Sequence, residues 1–419
     1  MTAPPAPAAT SAATSDEELF SADNLPFGIF STSADLRRRV GVRVGSSVLD
    51  VAPVAASLGL PGSDCEALSA PTLNPFLALG RESWSRVRLA LREAFSEDAP
   101  SLEEHLHPSD GCRLFLPFEV ADYVDFYSSE HHATNVGRIF RPDAEPLTPN
   151  WKHLPIGYHG RSGTVVVSGT PVVRPCGLRR GPGDPAPVFG PSVRLDIEAE
   201  VGFVVGVPSR PGEPVVLEAF EDHVFGVVLL NDWSARDIQA FEYVPLGPFL
   251  GKSFATSISP WVVPLEALSA ARVAPPPRDP VPAAYLDDSA SPPWGLDLSL
   301  EIRWNGTVVS RPPFSTMYWT PAQQLAHMTV NGASLRTGDL YASGTVSGPA
   351  EDERGSFLEL SWNGATPLTL ADGSTRSFLE DGDEVTIRAT APAPGGAGRI
   401  GLGEVTGRVL PAGSQAAGS

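Results

Sequence analysis

From Phe118 to about Leu410 the chain is a succession of short apolar runs cut by glycine and proline: TVVVSG, VRLDIEAEVGFVVGV, HVFGVVLLN, SPWVVPL, LDLSLEIRWNG, GSFLELSWNG, DEVTIRAT and GRIGLGEVTGRVL. Proline removes a backbone donor and glycine weakens helices, so 43 prolines and 40 glycines in 419 residues leave little room for long helices. Runs of this length with regular turn signals predict a β-rich sandwich or roll carrying two or three helices. Arg272–Gly295, which contains APPPRDPVP and SPP, reads as a long irregular loop.

The preceding segment is different. GIFSTS and RRVGVRVGSSVLDV carry the alternation of a hairpin around Gly-Ser. Asn74–Phe95 places Leu79, Trp84, Val87 and Leu91 at three- and four-residue steps, which predicts one amphipathic helix. Asp98–Asp110 is acidic and reads as a linker or mobile surface segment. The sequence therefore predicts a mainly β, α+β protein. Its parts are a disordered tail at 1–20, a small domain at 21–118, a larger β domain at 119–413 and a flexible tail at 414–419.

A formal net charge of −19 argues against grasping nucleic acid or anionic lipid. No run approaches the ~18 apolar residues of a membrane span, and no signal peptide opens the chain. Three scattered cysteines (Cys65, Cys112, Cys176) form neither a disulfide framework nor a metal motif. Together these predict a soluble cytoplasmic protein. Of 30 basic residues, Lys152 and Lys252 alone are lysine, which hints at a need for a compact ammonium at those places.

Candidate chemistry gathers in the larger domain. In LDIEAEV the acids Asp196, Glu198 and Glu200 fall on every second residue, and so on one face of a strand; alone, that reads as a solvated face. Asp232 changes the weighting, because it ends the strongly apolar run HVFGVVLLN and stands at the mouth of a buried strand. Behind it, SARDIQAFEY reads as helical, with Asp232, Arg236 and Gln239 or Tyr243 recurring on one side. DYVDFYSSEHHATNVGRIFR adds Asp125, Tyr127, His131, His132 and Arg141. One of the two histidines suits a general base. An oxygen cage of Asp125, Glu198, Glu200 and Asp232 suits Mg²⁺ or Ca²⁺ better than zinc or copper. Phosphate-loop and nucleophile-elbow signatures are missing from the sequence.

The blocks DFYSSEHHATNVG, NWKHLPIGYHGR, LDIEAEV, VLLNDWSARDIQAFEYVPLGPFLGKSF, SPWVVP, YASGTVSGP, LELSWNG and FLEDGDEV closely resemble the fumarylacetoacetate hydrolase family. The likeness runs from about Leu25 to about Leu410. It implies a small N-terminal SH3-like barrel, a C-terminal mixed β-sandwich roll and a homodimer. It also implies hydrolysis of a dianionic diketo acid, 4-fumarylacetoacetate, to fumarate and acetoacetate, the last step of tyrosine and phenylalanine breakdown. By the same resemblance Asp125, Glu198, Glu200 and Asp232 hold a divalent cation (Mg²⁺ or Ca²⁺), and Asp196 is the unused neighbour. His132 becomes the base, oriented by Glu359, with Arg236, Gln239 and Lys252 facing the oxyanion. Tyr127, Arg141, Tyr158, Gln239, Tyr243 and Thr345 hold substrate, and a second ion falls near Asp232, Lys252 and Thr256. Other metal-dependent members of the superfamily, acylpyruvate hydrolases among them, are the rival enzymes. A silent binding protein and a calcium-binding structural module are the rival non-enzymes.

Overall fold

The apolar run ending in Asp232 is buried on both faces, and that double burial organises the molecule. A computed structural model describes residues 15–96, 100–181 and 183–413. The elements that position the site are, in chain order, strand β1 (Phe27–Thr32), helix α1 (Arg81–Ser96), β2 (Tyr123–Phe126), α2 (Glu130–Phe140), β3 (Ala199–Val205), β4 (Val224–Asp232), α3 (Arg236–Glu242), β5 (Thr256–Ile258), β6 (Trp261–Pro264), β7 (Ser299–Trp304), α4 (Pro321–Thr329), β8 (Leu340–Ala342), α5 (Phe357–Leu360), β9 (Glu384–Pro392) and β10 (Arg399–Leu410).

A large sheet runs in the order Leu106–Pro108, Ser47–Asp50, Arg39–Val44, β1, β6, β4, β3, β8, β2 and Gly157–His159, with β5 paired to β4 beside this row. The N-terminal strands are continuous with the larger domain, because Phe27 pairs with Val262 and Gly28 with Trp261. A second sheet orders Thr307–Ser310, β7, β9, β10 and Val172–Val173. On β4, Val227 and Leu229 pack into a core with Ile302, Ile387 and Leu402 of the second sheet. Phe225, Val228 and Leu230 pack on the opposite side with Phe27, Ile29, Phe76, Trp84 and Leu91. A strand covered on both sides needs an uninterrupted apolar sequence, which is what HVFGVVLLN supplies.

Strand periodicity then fixes where the acids go. Asp232 shares a face with Val228 and Leu230, Glu200 with Val204, and Asp125 with Tyr123, so all three point to the side of the N-terminal domain. The register brings them together: Glu200 lies opposite Leu230, Gly202 opposite Ala342, and Ala342 opposite Asp125. At this level the intervening strand β8 presents the small residue Ala342.

Several expectations change. The expected Asn74–Phe95 helix is two helices, Asn74–Leu77 and α1, separated at Gly80, whose φ of +83° a helix cannot contain. Leu79 falls in the break and is 37% exposed, whereas Trp84, Val87 and Leu91 are buried as expected. GSFLELSWNG is not a strand: Ser356 accepts from the Glu359 amide and caps α5. The larger domain holds five α-helices among the described residues, more than the two or three expected. In the acidic segment, Pro100–His105 is a 3₁₀ turn and Leu106–Pro108 pairs with Ser47–Leu49; its first residues, 98 and 99, lie outside the described ones. Asp16–Leu19 is helical and Phe20 is buried, so the end of the expected 1–20 tail is structured. Residues 1–14 and the 414–419 tail lie outside the described residues. Arg272–Gly295 is irregular as expected, apart from a turn at Ala284–Leu286 and a pinched base.

At the site end of the large sheet Gly344 has φ +76°, and a Cβ there would sit 2.1 Å from the Phe126 carbonyl oxygen. Its amide donates to Glu200 Oε2 at 3.1 Å. Gly344→Ala should therefore destabilise the protein by about 1–3 kcal/mol and weaken divalent-cation binding together with stability. Denaturant unfolding with and without Mg²⁺ checks this, and wild-type values for both would remove the residue from the frame of the site.

Candidate active site and metal centre

Asp125, Glu198, Glu200 and Asp232 are all buried, and one carboxylate oxygen from each lies within 4.8 Å of the others. Backbone pairing ties two of them together, since Glu198 and Asp232 exchange both N–H···O bonds at 3.1 Å. The solvated-face reading of LDIEAEV is thus overturned. Leu195–Asp196 pairs with Ser234–Ala235, the chain jogs through Ile197 and Glu198, and β3 begins at Ala199. Asp196 is not idle either. Its carboxylate accepts from the Phe357 and Leu358 amides at 2.8 and 3.1 Å and from Arg236 Nε at 2.8 Å, joining α5 to the start of α3.

Four carboxylates in a dry place repel, and the pattern of partners shows where relief is lacking. Lys252 Nζ donates to Glu198 Oε2 at 2.7 Å and also to Asp232 Oδ2. Arg236 Nη2 reaches Glu198 Oε1 at 2.7 Å. Burial alone would raise the Glu198 carboxyl, but these two cations outweigh it and hold it below the usual range. Asp125 and Glu200 lack such help: burial first, then neighbouring carboxylates, push both well above the carboxylate range. Asp232 is pushed up to about 6, mainly by burial and against the pull of Lys252. Asp125 Oδ1, Glu200 Oε1 and Asp232 Oδ1 are buried without a hydrogen-bond partner. Unpartnered oxygens from a hard, all-oxygen donor set fit a divalent cation of the Mg²⁺ or Ca²⁺ kind.

His132 stands beside this cage on α2. Ser129 caps the helix by accepting from the His132 amide at 3.2 Å. The ring Nδ1 donates to Glu359 Oε2 at 2.6 Å, which leaves Nε2 as the free acceptor, 3.9 Å from Glu198 Oε1. Glu359 is fully buried and accepts further from Ser347 Oγ, Ser356 Oγ and Asn135 Nδ2 at 2.8–3.0 Å. Burial would raise its carboxyl, yet His132 and these donors keep it lowered. His131 is half-buried on the same helix and has no part in this network.

The remaining candidates divide. Arg236 Nη1 donates to Gln239 Oε1 at 3.2 Å, so these two share the start of α3. Asp232 does not share that helix face, because it closes β4 four residues before α3 begins; it reaches the group through Lys252. Tyr158 points its hydroxyl at Asp232 Oδ2 at 3.5 Å, and the Tyr127 ring meets the His132 ring edge-on at 5.3 Å. Thr256 is buried opposite Asp232 in the β4–β5 register. Thr345 is buried with its hydroxyl unpartnered. Arg141, past the end of α2, is exposed and donates to the Pro146 carbonyl at 2.7 Å, and Tyr243, after α3, is half exposed; neither contacts the cage or the His132–Glu359 pair. Sequence reasoning missed Asp196 as an anchor, and Asn135, Ser347 and Ser356 as the partners of Glu359. The capping serine ahead of LELSW was the signal that could have found Ser356.

A buried oxygen cage facing the free nitrogen of a His–Glu dyad is equipment for metal-assisted activation of water, which marks the chain as a hydrolase of that class. Residues 122–410 match the family described as fumarylacetoacetate (FAA) hydrolase C-terminal, and residues 23–117 match fumarylacetoacetase N-terminal. The chain is 45% identical over 406 residues to the fumarylacetoacetase of Homo sapiens, covering 94% of this chain and 96% of that protein. It is 47% identical to that of Caenorhabditis elegans, covering 94% and 97%. A solved structure of a fumarylacetoacetate hydrolase from Exiguobacterium antarcticum shares the fold, with a TM-score of 0.54 and 18% identity over 92% of this chain and 99% of that one. The chain belongs to the fumarylacetoacetase family.

A carboxyl that holds its proton longer in the folded state than in the unfolded one costs stability as pH rises through its range. Asp125, Glu200 and Asp232 all act in that direction. Glu200→Gln should therefore melt no lower than wild type in chelator at pH 7 and gain less on acidification toward pH 6, while losing the rise in Tm that Mg²⁺ or Ca²⁺ gives wild type. Thermal melts across pH with and without cation decide; a lower Tm in chelator with the cation effect kept would take Glu200 out of the cage.

Proposed function

We propose that the protein hydrolyses 4-fumarylacetoacetate to fumarate and acetoacetate in the cytoplasm, the last step of tyrosine and phenylalanine breakdown. The observation that carries this is the His132–Glu359 dyad turned toward the carboxylate cage, in a chain that matches fumarylacetoacetases nearly end to end. The residues 21–118 are assigned to an SH3-like barrel and 119–413 to the catalytic roll.

Breaking a carbon–carbon bond with water requires attack on a ketone and departure of a carbanion, which is feasible when it leaves as an enolate. His132 Nε2 takes a proton from water, and the Glu359 carboxylate stabilises the imidazolium that results. The hydroxide adds to the ketone carbon next to the fumaryl double bond. Arg236, Gln239 and Lys252 face the oxyanion, a contribution of about 3–4 kcal/mol for a well-placed donor. Collapse of that adduct breaks the bond, releases fumarate, and leaves the acetoacetate enolate to take the proton back from His132. Asp125, Glu198, Glu200 and Asp232 would hold a divalent cation, which when bound would supply positive charge to stabilise this enolate. Tyr127, Tyr158 and Thr345 line the inner part of the substrate site, and Arg141, Gln239 and Tyr243 its outer part, where the terminal carboxylates need cations. A second ion, where one binds, belongs beside Asp232 and Thr256, in competition with the Lys252 ammonium for the same oxygens.

The proposed homodimer is assigned a seat on the surface. Leu178, Val188, Phe189 and Val193, around a hairpin, and Val244, Leu246, Phe249 and Leu250, after α3, are all exposed, Leu246 by 95%. The two segments adjoin, since Ile238 of α3 packs on the hairpin at Gly177. So concentrated an apolar patch suits a second copy of the chain. Leu246→Asp with Phe249→Asp should shift the protein to monomer in sedimentation velocity; an unchanged sedimentation coefficient would place the interface elsewhere.

The function is tested by giving chelator-stripped protein Mg²⁺ or Ca²⁺ with fumarylacetoacetate and an acylpyruvate side by side, products read by NMR. Cation-dependent fumarate and acetoacetate, formed faster than acylpyruvate cleavage, is expected. His132→Ala should lose turnover with cation binding kept, and Lys252→Arg should be impaired because a planar fork cannot replace the ammonium between Glu198 and Asp232. Fumarylacetoacetate left intact by folded, cation-loaded protein would hand the function to another activity of the superfamily.

A further inference from the structure

The irregular loop at 272–295 is pinched at its base, where Arg272 pairs with Leu296 and Val273 with Gly295. Its tip is not free. Leu286 is fully buried in a small core with Ala133 of α2, Trp151, Tyr318 and Trp319. Arg278 is almost fully buried and spends its fork on three different elements. It holds Asp288 at 2.6 and 3.3 Å within the loop, the Tyr318 carbonyl at 3.1 Å, and Gln323 Oε1 at the start of α4 at 2.7 Å. Gln323 returns the contact by donating to the Leu286 carbonyl at 2.6 Å.

What Arg278 fixes lies directly behind the dyad. The amides of Tyr318 and Trp319 both donate to the Ser128 carbonyl, at 3.0 and 3.4 Å. Trp319 Nε1 donates to the Trp151 carbonyl at 3.2 Å, and Trp151 Nε1 to the Tyr127 carbonyl at 3.0 Å. Gln324 Nε2 holds Ser128 Oγ at 2.7 Å. Residues 127–129 are the turn between β2 and α2, which carries the Tyr127 ring against His132 and the Ser129 cap on the His132 amide.

We propose that the 272–295 loop is a latch and that Arg278 is a positioning residue: through Tyr318, Trp319 and Trp151 it holds the Tyr127–Ser129 turn, and so the orientation of Tyr127 and His132. Arg278 touches no reacting atom. A loosened turn displaces the base relative to the cage, and displacements on the order of 1 Å cost rates heavily. The kinetic part of the test rests on the hydrolase reading; the spectroscopic part does not.

Arg278→Ala and Arg278→Lys are made in the full chain and supplied with Mg²⁺. In Arg278→Ala, kcat for fumarylacetoacetate should fall roughly 10- to 100-fold with KM changed far less. Arg278→Lys should recover only part of it, because one ammonium nitrogen cannot reach the acceptors that Nε, Nη1 and Nη2 meet at separate points of a planar fork. On a Tyr127→Phe background the Arg278→Ala effect should shrink, as for residues acting through one another. The downfield ring proton shared by His132 and Glu359, assigned by its loss in His132→Ala, should broaden in both Arg278 variants. A folded Arg278→Ala with wild-type kcat and a sharp proton overturns the latch, as does an effect equally large on the Tyr127→Phe background. Should Arg278→Ala not fold, Arg278→Lys is read by the same criteria. If wild type leaves fumarylacetoacetate intact, the hydrolase reading fails on its own, and the proton signal alone decides: broadened supports the latch, unchanged overturns it.

Discussion

Four carboxylates forced into one dry space carry more negative charge than Lys252 and Arg236 can neutralise, and the rest of the structure is arranged around that imbalance. Glu198 receives both cations and stays ionised. Asp125 and Glu200 receive neither, keep an unpartnered oxygen each, and are driven toward their protonated forms. Such an arrangement is costly unless something positive enters. A fold that pins the acids in place against their repulsion has stored, in its register, the affinity for a divalent cation.

The pinning is done by backbone. Three of the acids sit on β4, β3 and β2, strands of one sheet buried between two cores, so none can swing away without unzipping that sheet. Glu198 is tied to Asp232 by two main-chain bonds. Asp196, the carboxylate turned away from the cage, holds α5 and Arg236 at once, and α5 is what delivers Glu359 to His132. One short stretch, 195–200, therefore connects the cage, Arg236 and the His132–Glu359 pair. A substitution in it should disturb all three together.

Much of this was legible in the sequence, and the reasons are local. HVFGVVLLN is apolar on both strand faces from Val224 to Leu230 apart from Gly226, so a strand buried on both faces follows, and an acid at its end is buried too. The alternation in LDIEAEV predicted one face for its three acids, but the strand breaks at Ile197–Glu198, so Glu198 and Glu200 enter the cage while Asp196 turns to α5 and Arg236. Nor could it say that this face is buried, because burial depends on β8 and β2, more than 60 residues away in either direction. LELSW was misread as a strand because its apolar pattern is short and fits either period; the Ser356 cap decides for helix. The Asp232–Arg236–Gln239 spacing suggested one helical face, but β4 continues through Asp232 and the two segments meet only in space. Of the partners of Glu359, Ser356 is announced by its local capping pattern, whereas His132, Asn135 and Ser347 come from segments that no local pattern connects to it.

The most direct test of the central claim is calorimetry of Mg²⁺ or Ca²⁺ binding to the full chain at pH 7 in buffers of different ionisation enthalpy. If Asp125 and Glu200 share protons before the cation arrives, binding must expel them, and the observed heat will vary with buffer. The account predicts net proton release that fades as pH rises and is reduced in Glu200→Gln. Tight binding with no buffer dependence at pH 7 would contradict it, because the cage would then be fully ionised in the folded protein without the cation.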